Sequence, residues 1–179
     1  MVRILLALLV VTMVVGVASA KDLVPINGGG HWNPRLGGGD WSTATVIPPS
    51  LPYNDTGSTC GASWVVDLTC GYTAGVSPDL FYSYTACVDG AINVSLCGSD
   101  FDTEVEVTDS NHNSIACDDD FCNFQSEVDN VPVASGAQYF IIISGYYGSC
   151  GDYVLNVTGP SCPNPVKTQS WGEIKSIYR

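Results

Sequence analysis

Two stretches of the chain concentrate side chains that could do chemistry. "IACDDDFC" (115–122) sets Asp118, Asp119 and Asp120 between Cys117 and Cys122, and "SDFDTEVEV" (99–107) repeats Asp100, Asp102, Glu104 and Glu106 at a period of two. Between Arg35 and Lys167 lie 131 consecutive residues with sixteen acids and no Lys or Arg. Carboxylates crowded together without ammonium or guanidinium partners must be solvated, protonated or bound to a metal ion. Ca2+ suits such groups, because it takes six to eight oxygens from carboxylates, carbonyls and water. The expected ligands are Asp100, Asp102, Asp118, Asp119 and Asp120. An EF-hand is excluded, since Val105 stands where that loop needs glycine and Asn111 where it needs a bidentate Glu. The competing reading is a solvated acidic edge that discourages strand-to-strand aggregation.

The elements that must position these acids are strands. From Thr43 to Gly159 the chain alternates short β-branched and aromatic runs with turn residues: "ATVI", "SWVVDL", "LFYSYTA", "AINVSL", "TEVEVT", "EVDNVPV", "QYFIIIS" and "DYVLNVT". Their spacing predicts an all-β fold, an antiparallel β-sandwich or jelly roll. Parity assigns the faces. Ile92, Val94 and Leu96 point inward and Asn93 and Ser95 outward; Tyr153, Leu155 and Val157 point inward and Val154 and Asn156 outward. In "SDFDTEVEV" the four acids share one face, with Phe101, Thr103, Val105 and Val107 on the other. Residues 43–162 form the sandwich in this reading.

The termini and the cysteines indicate export. Residues 1–20 combine Arg3, an apolar run of 14 residues and a small-residue "ASA" end, the pattern of a secretory signal peptide cleaved after Ala20. That run falls short of the ~20 residues needed to span a bilayer, so no membrane span is expected. In an oxidising compartment Cys60, Cys70, Cys87, Cys97, Cys117, Cys122, Cys150 and Cys162 imply up to four disulfides. Eight cysteines allow about 105 pairings, of which Cys60–Cys70 and Cys117–Cys122 are the local choices. A zinc site is disfavoured by the absence of any C-x2-C and the presence of only two histidines.

Three sequons, at Asn54, Asn93 and Asn156, fit the N-glycosylation pattern. The formal charge of −12 excludes nucleic acid and anionic membrane as partners. Residues 21–42, with the doubled "GGGHW" and "GGGDW", read as a glycine-rich flexible arm. Residues 163–179 form a tail that holds three of the six basic residues, and in a short helix its Trp171, Ile174 and Tyr178 would share one face.

Catalysis finds little support. No G-x-S-x-G or phosphate loop occurs, and His31 in the glycine arm and His112 in a polar turn are poor candidates for a general base. A glycosidase pair of acids would need a cleft that a small sandwich seldom has. Tyr146 and Tyr147 in "SGYYGSCG" offer stacking surfaces with polar tips for a ligand, or else close the end of the sandwich. The chain therefore reads as a secreted, non-catalytic, calcium-stabilised module that binds extracellular carbohydrate or protein. The alternative is a subunit whose copies assemble into a surface layer or fibre, and a weaker one is a partner of a separately encoded protease.

Five motifs in order, "ATVIPPSLPYNDTGSTCG" (44–61), "SPDLFYSYTA" (77–86), "DGAINVSLCGSDFDTEVEV" (89–107), "IACDDDFC" (115–122) and "VASGAQYFIIISGYYGSCGDYVLNV" (133–157), resemble the bacterial pre-peptidase C-terminal domain. Members are secreted β-sandwiches appended to proteases and other exported proteins. The resemblance implies a jelly-roll-like fold and puts Asp102, Asp119 and Asp120 at acidic positions that hold calcium or a hydrogen-bond network. It leaves the partner of Cys97 open, because "DSNHNS" (109–114) lacks the cysteine that members often carry there.

Overall fold

The computed structural model describes residues 37–71 and 76–162. The expected signal sequence, most of the expected arm including His31, and the tail from 163 onward lie outside the described residues. The described residues form nine strands in chain order: β1 (Thr45–Ile47), β2 (Tyr53–Ser58), β3 (Leu80–Thr85), β4 (Gly90–Ser95), β5 (Thr103–Asp109), β6 (Ser114–Asp118), β7 (Glu127–Val133), β8 (Gln138–Gly145) and β9 (Asp152–Thr158). They make two sheets, β1-β3-β8-β5-β6 and β2-β9-β4-β7, and among the described residues there is no α-helix. All pairs are antiparallel except β1 with β3, which is parallel. The fold is an all-β sandwich, as the alternation predicts.

Parity fills the space between the sheets. Ile92, Val94 and Leu96 from one sheet meet Val105, Val107, Ile141 and Ile143 from the other, and Tyr153, Leu155 and Val157 complete the layer, all fully buried. Strands β3 and β8 have no polar face because they are covered on both sides. Behind them Phe81 and Ile142 pack with Leu68 in a second, smaller cluster, flanked by Trp41, Val65 and Val66.

That cover differs from the expectation for "SWVVDL", which is not a strand. The backbone N–H groups of Val65 and Val66 both donate to Asp79 Oδ2, at 2.6 and 3.0 Å, so a buried carboxylate supplies what a neighbouring strand would have. Burial pushes the Asp79 carboxyl up, against the lowering effect of these bonds and that of Ser144. The segment then covers the outer face of the five-stranded sheet, with Val65, Val66 and Leu68 against it and Trp64 left exposed. Two strands escaped the alternation, β2 and β6. In β2 the fully buried inward position is Gly57, whose missing side chain leaves room for the Tyr153 ring.

Trp41, expected in a flexible arm, is instead fastened to the sandwich. Gly38 exchanges both backbone bonds with Phe81, at 2.9 and 3.0 Å. Trp41 stacks on His112 with ring centroids 3.9 Å apart and meets Phe81 and Phe140 edge-on or tilted.

The four disulfides are Cys60–Cys150, Cys70–Cys117, Cys87–Cys162 and Cys97–Cys122. Both local pairings are overturned. Cys60 follows the end of β2, whose Ser58 lies opposite Asp152, so the chain before β9 and not Cys70 is its neighbour. Cys117 sits opposite Glu106 on the outward face of β6, where the covering segment brings Cys70. Cys122 is thereby released to reach Cys97 at the end of β4.

Candidate metal centre and its aromatic rim

The acids gather at one pole of the sandwich, where β5, β7 and β9 begin and β4, β6 and β8 end. Thr103 opens β5 and anchors the loop after β6. Its N–H donates to the Phe124 carbonyl at 2.9 Å, and its Oγ1 accepts from the Ser126 N–H at 2.9 Å. Within the loop the N–H groups of Phe121 and Cys122 both donate to the Gln125 carbonyl, and the Cys97–Cys122 disulfide ties the turn to β4. The result brings Asp102 to Asp119 and Asp120, one carboxylate oxygen from each lying within 4.8 Å of the other two.

No Lys or Arg occurs anywhere in the described residues to compensate this charge. Asp119 Oδ1 is buried and has no hydrogen-bond partner. Desolvation, followed by the charges of Asp120, Asp102 and Asp118, holds the Asp119 carboxyl above the ordinary carboxylate range. Asp102 is raised for the same reasons, burial first and then Asp120. Three carboxylate oxygens at this spacing suit a hard divalent cation that completes its shell with carbonyls and water.

Of the five expected ligands, the geometry brings these three together and gives the other two backbone roles. Asp100 Oδ1 accepts from the Asp152 N–H at 2.7 Å, joining the chain before β5 to the start of β9. Gly151 makes that approach possible, because a Cβ there would sit 2.9 Å from Phe101 Cβ. Asp118 Oδ2 accepts from the Glu127 N–H at 2.9 Å and so closes the loop it begins.

The acidic face of β5 is neither an edge nor solvated. β5 lies between β8 and β6, and Glu104 and Glu106 are buried beneath residues 62–71. Glu106 accepts from the Thr69 N–H at 3.1 Å and the Thr69 hydroxyl at 2.7 Å. The carboxylates thus hold the cover in place.

Tyr146 and Tyr147 form a one-turn 3-10 helix, Tyr146–Gly148, directly beside the site, for the Tyr146 N–H donates to the Asp102 carbonyl at 3.1 Å. Tyr147 adopts a left-handed backbone with φ 46°, which a bulky residue rarely does. Sequence reasoning missed two companions, Phe121 and Phe124. Both rings are more exposed than not, at 59% and 64%. The signal was present in "DDDFCNF", where two aromatics flank a cysteine in a loop too polar to bury them.

All three sequons fall on the outer face of the four-stranded sheet. Asn54 lies directly opposite Asn156, and Asn93 opposite Thr158. Asn93 Oδ1 accepts from the Asn130 N–H at 2.8 Å.

Fold and site together define a disulfide-bonded β-sandwich with an acidic, aromatic pole. Among solved structures, the chain is similar to the pre-peptidase C-terminal domain of collagenase from Bacillus anthracis, the family that the five motifs resemble, at 16% identity and a TM-score of 0.44 over 64% of this chain and 93% of that one. No protein-family model matches the chain, and no curated protein does.

Proposed function

We propose that the protein is a secreted, non-catalytic β-sandwich module that holds a calcium ion at Asp102, Asp119 and Asp120 and uses the aromatic rim around that site to bind an extracellular carbohydrate or protein. The observation that carries the metal reading is the meeting of three carboxylates, one of them Asp119 with a buried, unpartnered Oδ1, among described residues that hold no Lys or Arg. Asp102, Asp119 and Asp120 would hold the ion, and the ion would supply the countercharge that fixes the loop. Four disulfides support an oxidising, extracellular location. Among the described residues no helix is long and apolar enough to cross a membrane.

A non-catalytic role is supported by where the described histidine lies. His112 belongs to the turn joining β5 to β6, at the far pole, and its ring is stacked on Trp41. Among the described residues no histidine stands beside the acidic pole.

Thermal melting with calcium and with chelator tests the reading. At a calcium concentration about a hundredfold above its dissociation constant, linkage contributes ~2.7 kcal/mol, a rise of roughly 10 °C for a domain this size. Asp119→Asn should abolish that rise. A melting temperature indifferent to chelator would sink the metal site.

A further inference from the structure

We infer that the acidic pole of one copy docks the basic C-terminal tail, residues 163–179, of a second copy. The inference rests on the reading of this pole as the binding surface and names its partner. Four aromatic rings stand exposed there, Phe121, Phe124, Tyr146 and Tyr147. Exposed rings grouped at one end, rimmed by polar groups, are the composition of an interface core, since aromatics supply contact area at low entropic cost.

Charge selects the occupant. The pole carries Asp100, Asp102, Asp118, Asp119, Asp120 and Asp152, and the described residues offer no Lys or Arg anywhere. The tail has the complementary chemistry, with Lys167, Lys175 and Arg179 against one acid, Glu173, together with Trp171, Ile174 and Tyr178. Opposed potentials of this kind steer association and set its register.

The path of the chain favours an intermolecular contact. β9 starts at the acidic pole with Asp152 and runs to Thr158, and Cys162 is then pinned to Cys87 at the opposite pole. Lys167 lies five residues beyond Cys162, a reach of about 17 Å at full extension. The seven residues of β9 alone separate the poles by about 20 Å. At full extension the Lys167 backbone still falls short of its own acidic pole, so a second copy presents Lys167, Lys175 and Arg179 together with less constraint on the chain. A contact of tail to pole is heterologous, so copies would add head to tail.

Sedimentation velocity on the disulfide-bonded chain tests this, at about 20 mM and about 0.5 M NaCl, where screening lengths differ severalfold, with calcium and with chelator. The expected result is a mass that grows with protein concentration at low salt and falls to the monomer at high salt. The triple variant K167E/K175E/R179E should raise the dissociation constant at least tenfold. Phe124→Ala, at an exposed ring, should do the same with an unchanged melting temperature. A chain that stays monomeric at every concentration in low salt overturns the inference, as does a tail-reversed variant that associates like the wild type. Its failure is distinguishable from failure of the metal site, because the tail-reversed chain keeps the calcium-induced melting shift if that site exists.

Discussion

Tyr84 Oη is buried in the core with no hydrogen-bond partner. Leaving a hydroxyl dry and unpaired costs on the order of 1–3 kcal/mol, so Tyr84→Phe should raise unfolding stability in urea by about 1 kcal/mol. Its neighbours behave differently. Tyr82 and Tyr153 share a 2.6 Å hydroxyl bond, and the Tyr82 and Tyr53 hydroxyls both donate to Asp55 Oδ2, at 3.0 and 2.8 Å. Burial pushes the Tyr82 phenol up, and the bond and charges around it push further. Gly57 makes the arrangement possible: an added Cβ would lie 2.6 Å from Tyr153 Oη, and Gly57→Ala should destabilise by about 1–3 kcal/mol through overpacking. The raised carboxyls of Asp102, Asp119 and Asp79 give a pH signature of definite sign. A folded-state value above the unfolded one means that the folded chain binds more protons in the interval between them. Without metal, these groups stabilise fully below the ordinary carboxylate value, and that stability is lost as pH rises through the raised one. Calcium held as proposed would compete with those protons at Asp102 and Asp119, so in its presence stability should instead fall as pH drops through the same window. Denaturation midpoints measured across that window, with calcium and with chelator, should slope in opposite directions.

At the scale of elements, the loop 119–126 depends on its ties more than on its own sequence. It has no regular structure, and the Cys97–Cys122 disulfide, spanning 25 residues, restrains it against β4. Replacing both cysteines by alanine should cost about 3 kcal/mol by loop closure, and it should also lower calcium affinity in isothermal titration, because Asp119 and Asp120 ride on this loop. The strands were legible wherever one face is buried and the other wet, as in β4 and β9, where parity alone placed Ile92, Val94, Leu155 and Val157. Reading failed where burial arises from a partner far along the chain. "SWVVDL" has strand composition, yet Asp79 captures its backbone, and nothing local reveals that capture. β2 contains Gly57 and few β-branched residues, so its pairing with β9 is set by the tertiary fold. The two local disulfide choices failed alike, since proximity along the chain says little once strands have carried the intervening residues from pole to pole. The acidic cluster was partly legible. Acid content and the lack of cations identified the region, but which carboxylates would turn to the backbone, as Asp100 and Asp118 do, depends on strand starts that composition leaves unspecified.

At the scale of the whole molecule, a net charge of −12 repels itself, and in the described residues no Lys or Arg offsets it locally. Two effects of added cations then need to be separated. Sodium screens the carboxylates generally, and the benefit grows as the Debye length shrinks from about 30 Å at 0.01 M to about 10 Å at 0.1 M. Calcium at a site acts through specific oxygens, so it should work at concentrations too low to alter screening. About 1 mM calcium contributes an ionic strength of only a few millimolar, where the Debye length is still several tens of ångströms. The expected outcome is a large rise in melting temperature with 1 mM calcium and almost none with sodium chloride at equal ionic strength. About 0.3 M sodium chloride should produce its own smaller rise, and that rise should survive in Asp119→Asn while the calcium effect disappears. Equal responses to the two salts at matched ionic strength would mean that the acidic pole is stabilised by screening alone, and that Asp102, Asp119 and Asp120 meet because the fold tolerates their repulsion.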